Sequence, residues 1–315
     1  MPQHWVGRSA SPPRWAPVAA VLLAVVVAAG LFQLPANRVS AETGAQAALG
    51  EFERSHADDG HGHVADGAPV LARFGGSGDW ETGTITVPGE DPRVYLYVAK
   101  RLDNGEWQVA LEGSTDFPLL AEQGRMALSG TASADLLATT TTAATGGSAQ
   151  LSLPWRKGTS WRLTGGPHHH SGGSRPWSSL DFAGPRPGMS VKVRAARGGI
   201  VTRPCRNLVQ VRHAGGWTTS YYHLKRIKVR SGQRVDRGDV LGFTSTRARC
   251  GGRATGPHVH FTLMRYGSLV NIRGHAIGGW TVREGSSQYS GCLVKGSSER
   301  CAPSRPIYNT GAIGG

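Results

Sequence analysis

From residue 149 to the end, the chain is cut into short runs, and none has the length or apolar spacing of an amphipathic helix. Runs at 191–195, 209–213, 217–223, 235–243 and 258–263 alternate apolar with polar residues between glycine-containing turns. Alternation with a period of two puts every second side chain on one face of a strand. Such runs therefore bury one face and leave the other for solvent or for a site. Short alternating strands of this kind predict a mainly β fold built of antiparallel sheets.

The run at 258–263 carries chemistry. In Thr255-Gly-Pro-His-Val-His-Phe261, Val259, Phe261 and Leu263 alternate with His258, His260 and Thr262, so the two imidazoles share a face. Two positions along a strand span roughly 6.6 Å, which lets one ring bind a metal while the other reaches its open coordination position. Upstream, Pro167-His168-His169-His170 is followed by a Gly/Ser-rich turn and then by Ser178-Ser179-Leu180-Asp181-Phe182. A histidine and a carboxylate from this region plus a histidine from the later strand would make a three-ligand site with a fourth position open, the catalytic arrangement for zinc. A further histidine closes Thr219-Ser220-Tyr221-Tyr222-His223, where strand alternation would put His223 on one face with Tyr221 and Thr219.

These segments together resemble the staphylolysin and β-lytic metalloendopeptidase group of the lysostaphin-like zinc metallopeptidases, which cut the peptide part of bacterial cell walls. The resemblance runs from Leu153-Pro-Trp-Arg-Lys-Gly158 and Trp161 to Pro306-Ile-Tyr-Asn309, roughly the C-terminal half. It rests on the long His-to-Asp spacing, Tyr-Tyr-His, Gly-Pro-His-x-His-Phe and Ser231-Gly-Gln-Arg-Val-Asp-Arg-Gly-Asp-Val-Leu-Gly242, in that family's order. It implies a zinc endopeptidase of paired antiparallel sheets with one Zn2+ in a groove. By position His168, Asp181 and His260 match the zinc ligands, and His223 and His258 the catalytic pair. The triple-histidine run leaves the register open between His168 and its neighbours. His168 follows the Gly-x pair as in the resembling enzymes, and His169 and His170 are then expected in a solvated loop. Val259 stands where the family usually has leucine.

Zinc held by two neutral imidazoles and a carboxylate keeps a net positive charge, which lowers the pKa of a bound water toward about 7 and polarises a peptide carbonyl. Histidines outside the ligand set titrate near neutrality and suit proton transfer and oxyanion stabilisation. The expected substrate is the peptide of bacterial peptidoglycan, cut at Gly-Gly or other cross-bridge bonds, a preference that the resemblance implies. The competing reading is an inactive envelope-binding or regulatory module on the same fold; all five site positions carry the required residue types.

Compartment and processing come from the rest of the chain. Arg8 and Arg14 precede an apolar run at 18–32 and the small residues Val39-Ser40-Ala41, which predicts a secretory signal peptide at 1–41, the only expected membrane contact. The alternative is a retained anchor. Four cysteines, Cys205, Cys250, Cys292 and Cys301, suit an exported domain with two disulfides, and four cysteines permit three connectivities. The resembling enzymes pair the first with the second and the third with the fourth.

Charge divides what remains. Residues 42–148 hold 6 Lys+Arg against 16 Asp+Glu, a net of −10, whereas residues 149–315 hold 26 against 5, a net of +21. The acidic part reads as a propeptide, with a β-hairpin turning at Asp103-Asn104-Gly105, a less ordered start at 42–68, and an exposed linker at about 137–148 where processing is expected. Opposite charge favours its docking on the basic domain as an intramolecular inhibitor. His61 and His63 are candidates to reach the zinc of the precursor, against the plainer reading of a polar loop. The basic domain is expected to be monomeric and to bind anionic envelope polymers. Nucleic acid is disfavoured by the leader and by the lack of a groove-binding motif.

Overall fold

The structure, a computed structural model, describes residues 40–55, 67–89, 91–141, 148–169 and 175–312. Residues 1–39 of the predicted leader, His61, His63, His170 and residues 142–147 of the predicted linker lie outside the described residues. No described helix is long and apolar enough to cross a membrane.

The N-terminal part contains α1 (Ala41–Ser55), β1 (Val70–Ser77), β2 (Trp80–Val87), β3 (Arg93–Arg101), β4 (Trp107–Leu111), α2 (Phe117–Ala127) and α3 (Ala132–Thr141). Its four strands form an antiparallel meander, with β3 and β4 joined through the predicted turn, where Gly105 takes φ +84°. The expectation of little order at 42–68 is wrong for 42–55, which lies in α1. Ala41, Ala45 and Leu49 recur at helical spacing and are buried against Tyr95, Tyr97 and Leu111, and the Ser40 hydroxyl accepts the Thr43 N–H (3.1 Å). The linker expectation is also wrong for 137–141, which ends α3. Leu136 and Leu137 are fully buried against Leu96, Val98 and Leu120. The threonine hydroxyls satisfy themselves on the helix, Thr139 donating to the Leu136 carbonyl (2.6 Å) and Thr140 to that of Leu137 (2.7 Å).

The rest is mainly β. In chain order come β5 (Ser160–His168), β6 (Ser179–Ala183), β7 (Lys192–Arg194), β8 (Gly199–Thr202), β9 (Val209–Arg212) and β10 (Trp217–Tyr222). They are followed by β11 (Leu224–Lys225), β12 (Arg234–Val235), β13 (Val240–Thr244), β14 (His258–Arg265) and β15 (Ser268–Leu269). The chain closes with β16 (Ala276–Ile277), β17 (Trp280–Glu284), β18 (Gly291–Lys295), β19 (Ser298–Cys301) and β20 (Ile307–Tyr308). A nine-stranded antiparallel sheet runs β12-β8-β9-β10-β14-β6-β5-β20, with β15 on β14. Smaller sheets, β11-β13-β7 and β16-β17-β18-β19, accompany it. The predicted strand at 235–243 is two short strands, because residues 236–239 make a turn in which the Asp236 N–H donates to Asp239 Oδ2 (2.9 Å).

Alternation decides the two faces of the large sheet. Leu180, Phe182, Val209, Val211, Tyr221, Val259, Phe261 and Leu263 point into one core, with the stacked Trp155 and Trp161 beside them. The opposite face therefore carries Asp181, Ser179, Arg212, Tyr222, His258, His260 and Thr262. The N-terminal part covers much of this polar face: Val94 of β3 packs with Leu208 and Tyr222, and Glu112 forms a buried ion pair with Arg212. Both disulfides join the cysteines in the order the resemblance implies, Cys205–Cys250 and Cys292–Cys301, with Cα separations of 6.0 and 3.8 Å.

Candidate metal centre

Strand register assembles the centre. His260 of β14 lies opposite Asp181 of β6 on one side and Tyr222 of β10 on the other, and directly paired residues point their side chains to the same face. A slip of one residue in either pairing would turn the histidine into the core. His168 ends β5, whose pairing with β6 shifts twice, between Leu163 and Gly165 and again before His168. These bulges bring the ring over the neighbouring strand. The close approach needs glycine: a Cβ at Gly165 would stand 2.6 Å from Asp181 Oδ2.

The resulting geometry is compact. His168 Nε2, Asp181 Oδ1 and His260 Nδ1 form a triangle with edges of 3.6, 3.1 and 3.2 Å. A tetrahedral zinc ion with ligand bonds of about 2.0–2.1 Å requires ligand atoms about 3.3–3.4 Å apart, so these residues fit the ion. His168 is buried, stacked on the Tyr289 ring at 4.1 Å, and donates its Nδ1–H to the Gly166 carbonyl (2.7 Å), which turns Nε2 into the triangle.

His258 and His223 stand beside this triangle. His258 Nε2 lies 3.4 Å from Asp181 Oδ1, and the His223 ring centre is 4.7 Å from that of His258 and 6.2 Å from that of His260. Each gives its Nδ1–H to a backbone carbonyl, His258 to Gly256 (2.8 Å) and His223 to Arg247 (3.0 Å). Both Nε2 atoms are thereby left as the proton-accepting positions. The expected sharing of a face by His223 and Tyr221 fails. His223 takes φ +62°, which breaks the alternation, so Tyr221 stays in the core and the His223 ring stacks on Tyr222 at 4.2 Å. Tyr222 in turn accepts the Cys250 N–H (2.7 Å) and donates to the Gly251 carbonyl (2.8 Å), fixing the loop above the histidines.

Electrostatics follow from this crowding. Burial alone would raise the Asp181 carboxyl, but His168, His258 and His260 around it hold it well below the usual carboxylate range. Burial lowers His168, and lowers His223 to about 3 with help from the neighbouring His258 and His260. Burial would also lower His260, yet Asp91 and Asp181 on either side raise it to about 10. His258 is likewise raised against burial, by its contact with Asp181. Two carboxylates flanking one ring make this a place that favours positive charge.

Asp91 carries no signal in the sequence. It comes from the acidic N-terminal part, its side chain is 1% exposed, and it contacts His260 Nε2 closely while standing 2.9 Å from His169 Nδ1. Its carboxylate also accepts a hydrogen bond from the Ser179 hydroxyl (2.8 Å). His169 is therefore buried, contrary to the expected solvated loop. Ser179 was legible in principle, since alternation puts it on the face of Asp181. Nothing distinguished Asp91 among 16 acids.

Comparison with known proteins bears on the same residues. Residues 175–272 match the model of Peptidase family M23, a span that holds Asp181, His223, His258 and His260 and starts just after His168. Protease LasA of Pseudomonas aeruginosa is 37% identical over 175 residues, which is 51% of this chain and 41% of LasA. The chain thus spans less than half the length of that relative. A solved structure titled as the M23 metalloprotease pseudoalterin is 34% identical, covering 52% of this chain and 99% of that one, with a TM-score of 0.48. Beta-lytic metalloendopeptidase of Lysobacter enzymogenes is 33% identical over 147 residues, 44% of this chain and 82% of that protein. A match over most of that relative, together with the family model, gives the assignment: the chain belongs to peptidase family M23.

Proposed function

We propose that the chain is a zinc metalloendopeptidase that hydrolyses peptide bonds of bacterial peptidoglycan, exported and made as a latent precursor. The observation that carries this reading is the triangle of His168, Asp181 and His260 with two more histidines presenting Nε2 beside it. Bound there, zinc would polarise a substrate carbonyl and lower the pKa of a water toward about 7. His258 and His223, each held by a backbone carbonyl at Nδ1, would then take up the water proton and steady the charge that develops on the carbonyl oxygen. Their fixed Nδ1–H bonds keep the accepting nitrogen aimed at the reaction without reorganisation.

Substrate and compartment rest on coarser support. Relatives bear the names beta-lytic metalloendopeptidase and, in Vibrio cholerae, peptidoglycan DD-endopeptidase. The glycine-rich stretch at 251–256 beside His258 carries one large side chain, Arg253, and otherwise only small ones, which suits an extended glycine-rich peptide and supports Gly-Gly bonds of wall cross-bridges. A cleft of about 600 Å³ lined by Arg203, Arg206, Lys225, Arg226, Arg247 and Arg249 supports binding of anionic envelope polymers. The two disulfides agree with export. Latency is supported by residues 70–141 lying across the polar face of the sheet that carries the centre, with a cut expected between 142 and 147.

The test is clearing of killed Gram-positive cells by the full chain before and after limited proteolysis, with sequencing of new amino termini. Proteolysis is expected to switch on clearing, and a chelator to abolish it. His258→Ala and His223→Ala should each lower it by about 10²–10⁴-fold with zinc still bound. Loss of zinc in either variant overturns the role given to that histidine, and equal clearing by uncut chain ends the latency.

A further inference from the structure

A histidine that binds a metal through one ring nitrogen carries its proton on the other, and the group that accepts that proton fixes the tautomer and strengthens the bond. In this centre the two ligand histidines are served differently. His168 turns Nε2 inward and gives Nδ1–H to its own strand, at the Gly166 carbonyl. His260 turns Nδ1 inward, toward His168 Nε2 and Asp181 Oδ1, so Nε2–H points out of the triangle and meets Asp91 Oδ1. Asp91 is thus not in the position of an additional ligand. It stands behind one.

The carboxylate is held for this role. Ser179 donates to Asp91 Oδ1 (2.8 Å) and is itself 2.8 Å from the Thr262 hydroxyl, while His169 Nδ1 is 2.9 Å from Asp91 Oδ2. Ser179 and Thr262 are paired across β6 and β14, two residues along from the Asp181–His260 pair and so on the same face, which makes the seat part of the sheet. The Gly89 N–H donates to the Cys250 carbonyl (2.9 Å), which pins the chain just before Asp91 to the loop between β13 and β14 that leads into His258. Asp91 nonetheless belongs to the N-terminal part, outside the segment that matches the family model.

We propose that Asp91 is the outer partner of the metal ligand His260, so that the N-terminal part helps the chain to take up and hold its zinc. This rests on the reading of His168, Asp181 and His260 as the ligand set. The chain is assembled with a complete carboxylate–histidine–metal line only while residues 67–141 are in place. The N-terminal part then both covers the polar face and supplies a group that the centre uses.

The experiment is a zinc titration of the full chain against a competing chelator, for wild type, Asp91→Asn and Asp91→Ala. Asp91→Ala should raise the zinc dissociation constant by tenfold to a hundredfold. Asp91→Asn, which keeps an acceptor oxygen but loses the charge, should fall between that and wild type, and it guards against a failure of the alanine variant to fold. In the zinc-loaded wild type, the His260 Nε2 proton should give a downfield, slowly exchanging resonance that moves in Asp91→Asn. A dissociation constant within twofold of wild type in either folded variant overturns the inference, whatever the peptidase activity. Wild type with a tight, Asp91-dependent zinc but no action on cell walls leaves the inference standing and removes the proposed substrate. Wild type that takes up no stoichiometric zinc overturns both.

Discussion

Replacing Glu112 by glutamine should destabilise the whole chain far more than breaking an exposed ion pair between the same two parts. Glu112 and Arg212 are 1% and 2% exposed at the side chain, and Arg212 Nη1 donates to Glu112 Oε2 at 2.6 Å. The same oxygen accepts the Leu96 N–H at 3.4 Å, so the charge is seated in the N-terminal part and faces β9. Asp135 and Arg234 also join the two parts, at 3.3 Å, but their side chains are 56% and 68% exposed. Removing one member of a buried pair leaves the other charge without water or partner, a cost of about 3–5 kcal/mol, whereas an exposed pair contributes about 0–1 kcal/mol. Urea unfolding of the full chain, followed by tryptophan fluorescence, should therefore separate Glu112→Gln from Asp135→Asn by at least about 2 kcal/mol. Glu112 Oε1 and Arg212 Nε find no hydrogen-bond partner among the described residues, so the pair is incompletely satisfied. The double variant Glu112→Leu with Arg212→Met should accordingly recover most of the loss. Equal stabilities for Glu112→Gln and Asp135→Asn would refute the argument from burial.

His213 is fully buried between the Gly198 carbonyl (2.8 Å) and the Thr219 hydroxyl (2.9 Å), and burial lowers it to about 3. Because the folded value lies below the unfolded one of about 6.5, its stabilisation is present above pH 6.5 and is lost as the pH falls toward 3. Between pH 6.5 and 5 this residue alone should cost about 2 kcal/mol, and His213→Gln should flatten the acid limb of a stability–pH curve by about 1.4 kcal/mol per unit; an unchanged slope counts against it. Gly165→Ala should weaken zinc binding measured by chelator competition, since its Cβ would push on the Asp181 carboxylate from 2.6 Å; unaltered affinity would mean that β5 can move away. Opening Cys205–Cys250, whose ends are 45 positions apart, should lower stability by about 4 kcal/mol, and opening Cys292–Cys301, 9 positions apart, by about 3 kcal/mol, in paired Cys→Ser unfolding curves.

How far the sequence could be read depended on whether the deciding contact was local. The alternation of Val259 and Phe261 against His258 and His260 is a property of one strand, and it held. His223 was misplaced because its φ of +62° is set by contacts with Arg247 and Ser245, more than twenty residues away, and a periodic pattern carries no sign of it. The threonine-rich stretch at 139–141 looked like a linker because polar, β-branched residues favour other structures; burial of Leu136 and Leu137 overrides that preference. Asp91 escaped because its meaning comes wholly from a partner 169 residues away. A partner distant in sequence, Asp91 again, also hid the burial of His169. The cysteine pairing and the ligand register were legible only through resemblance, since four cysteines and three consecutive histidines each leave several arrangements open.

The placement of residues 67–141 on the polar face of the large sheet has a kinetic consequence. Severing the backbone between 142 and 147 removes a tether but none of the contacts made by Asp91, Val94, Glu112 or Asp135. A tethered segment faces its partner at an effective concentration in the millimolar range, and after the cut it rebinds only in proportion to its real concentration. Activation would then be a dilution event with a lifetime of its own. On the proposed export and latency, a nicked chain would stay silent near the cell that released it and wake as it spreads, or as other proteases digest the bound fragment.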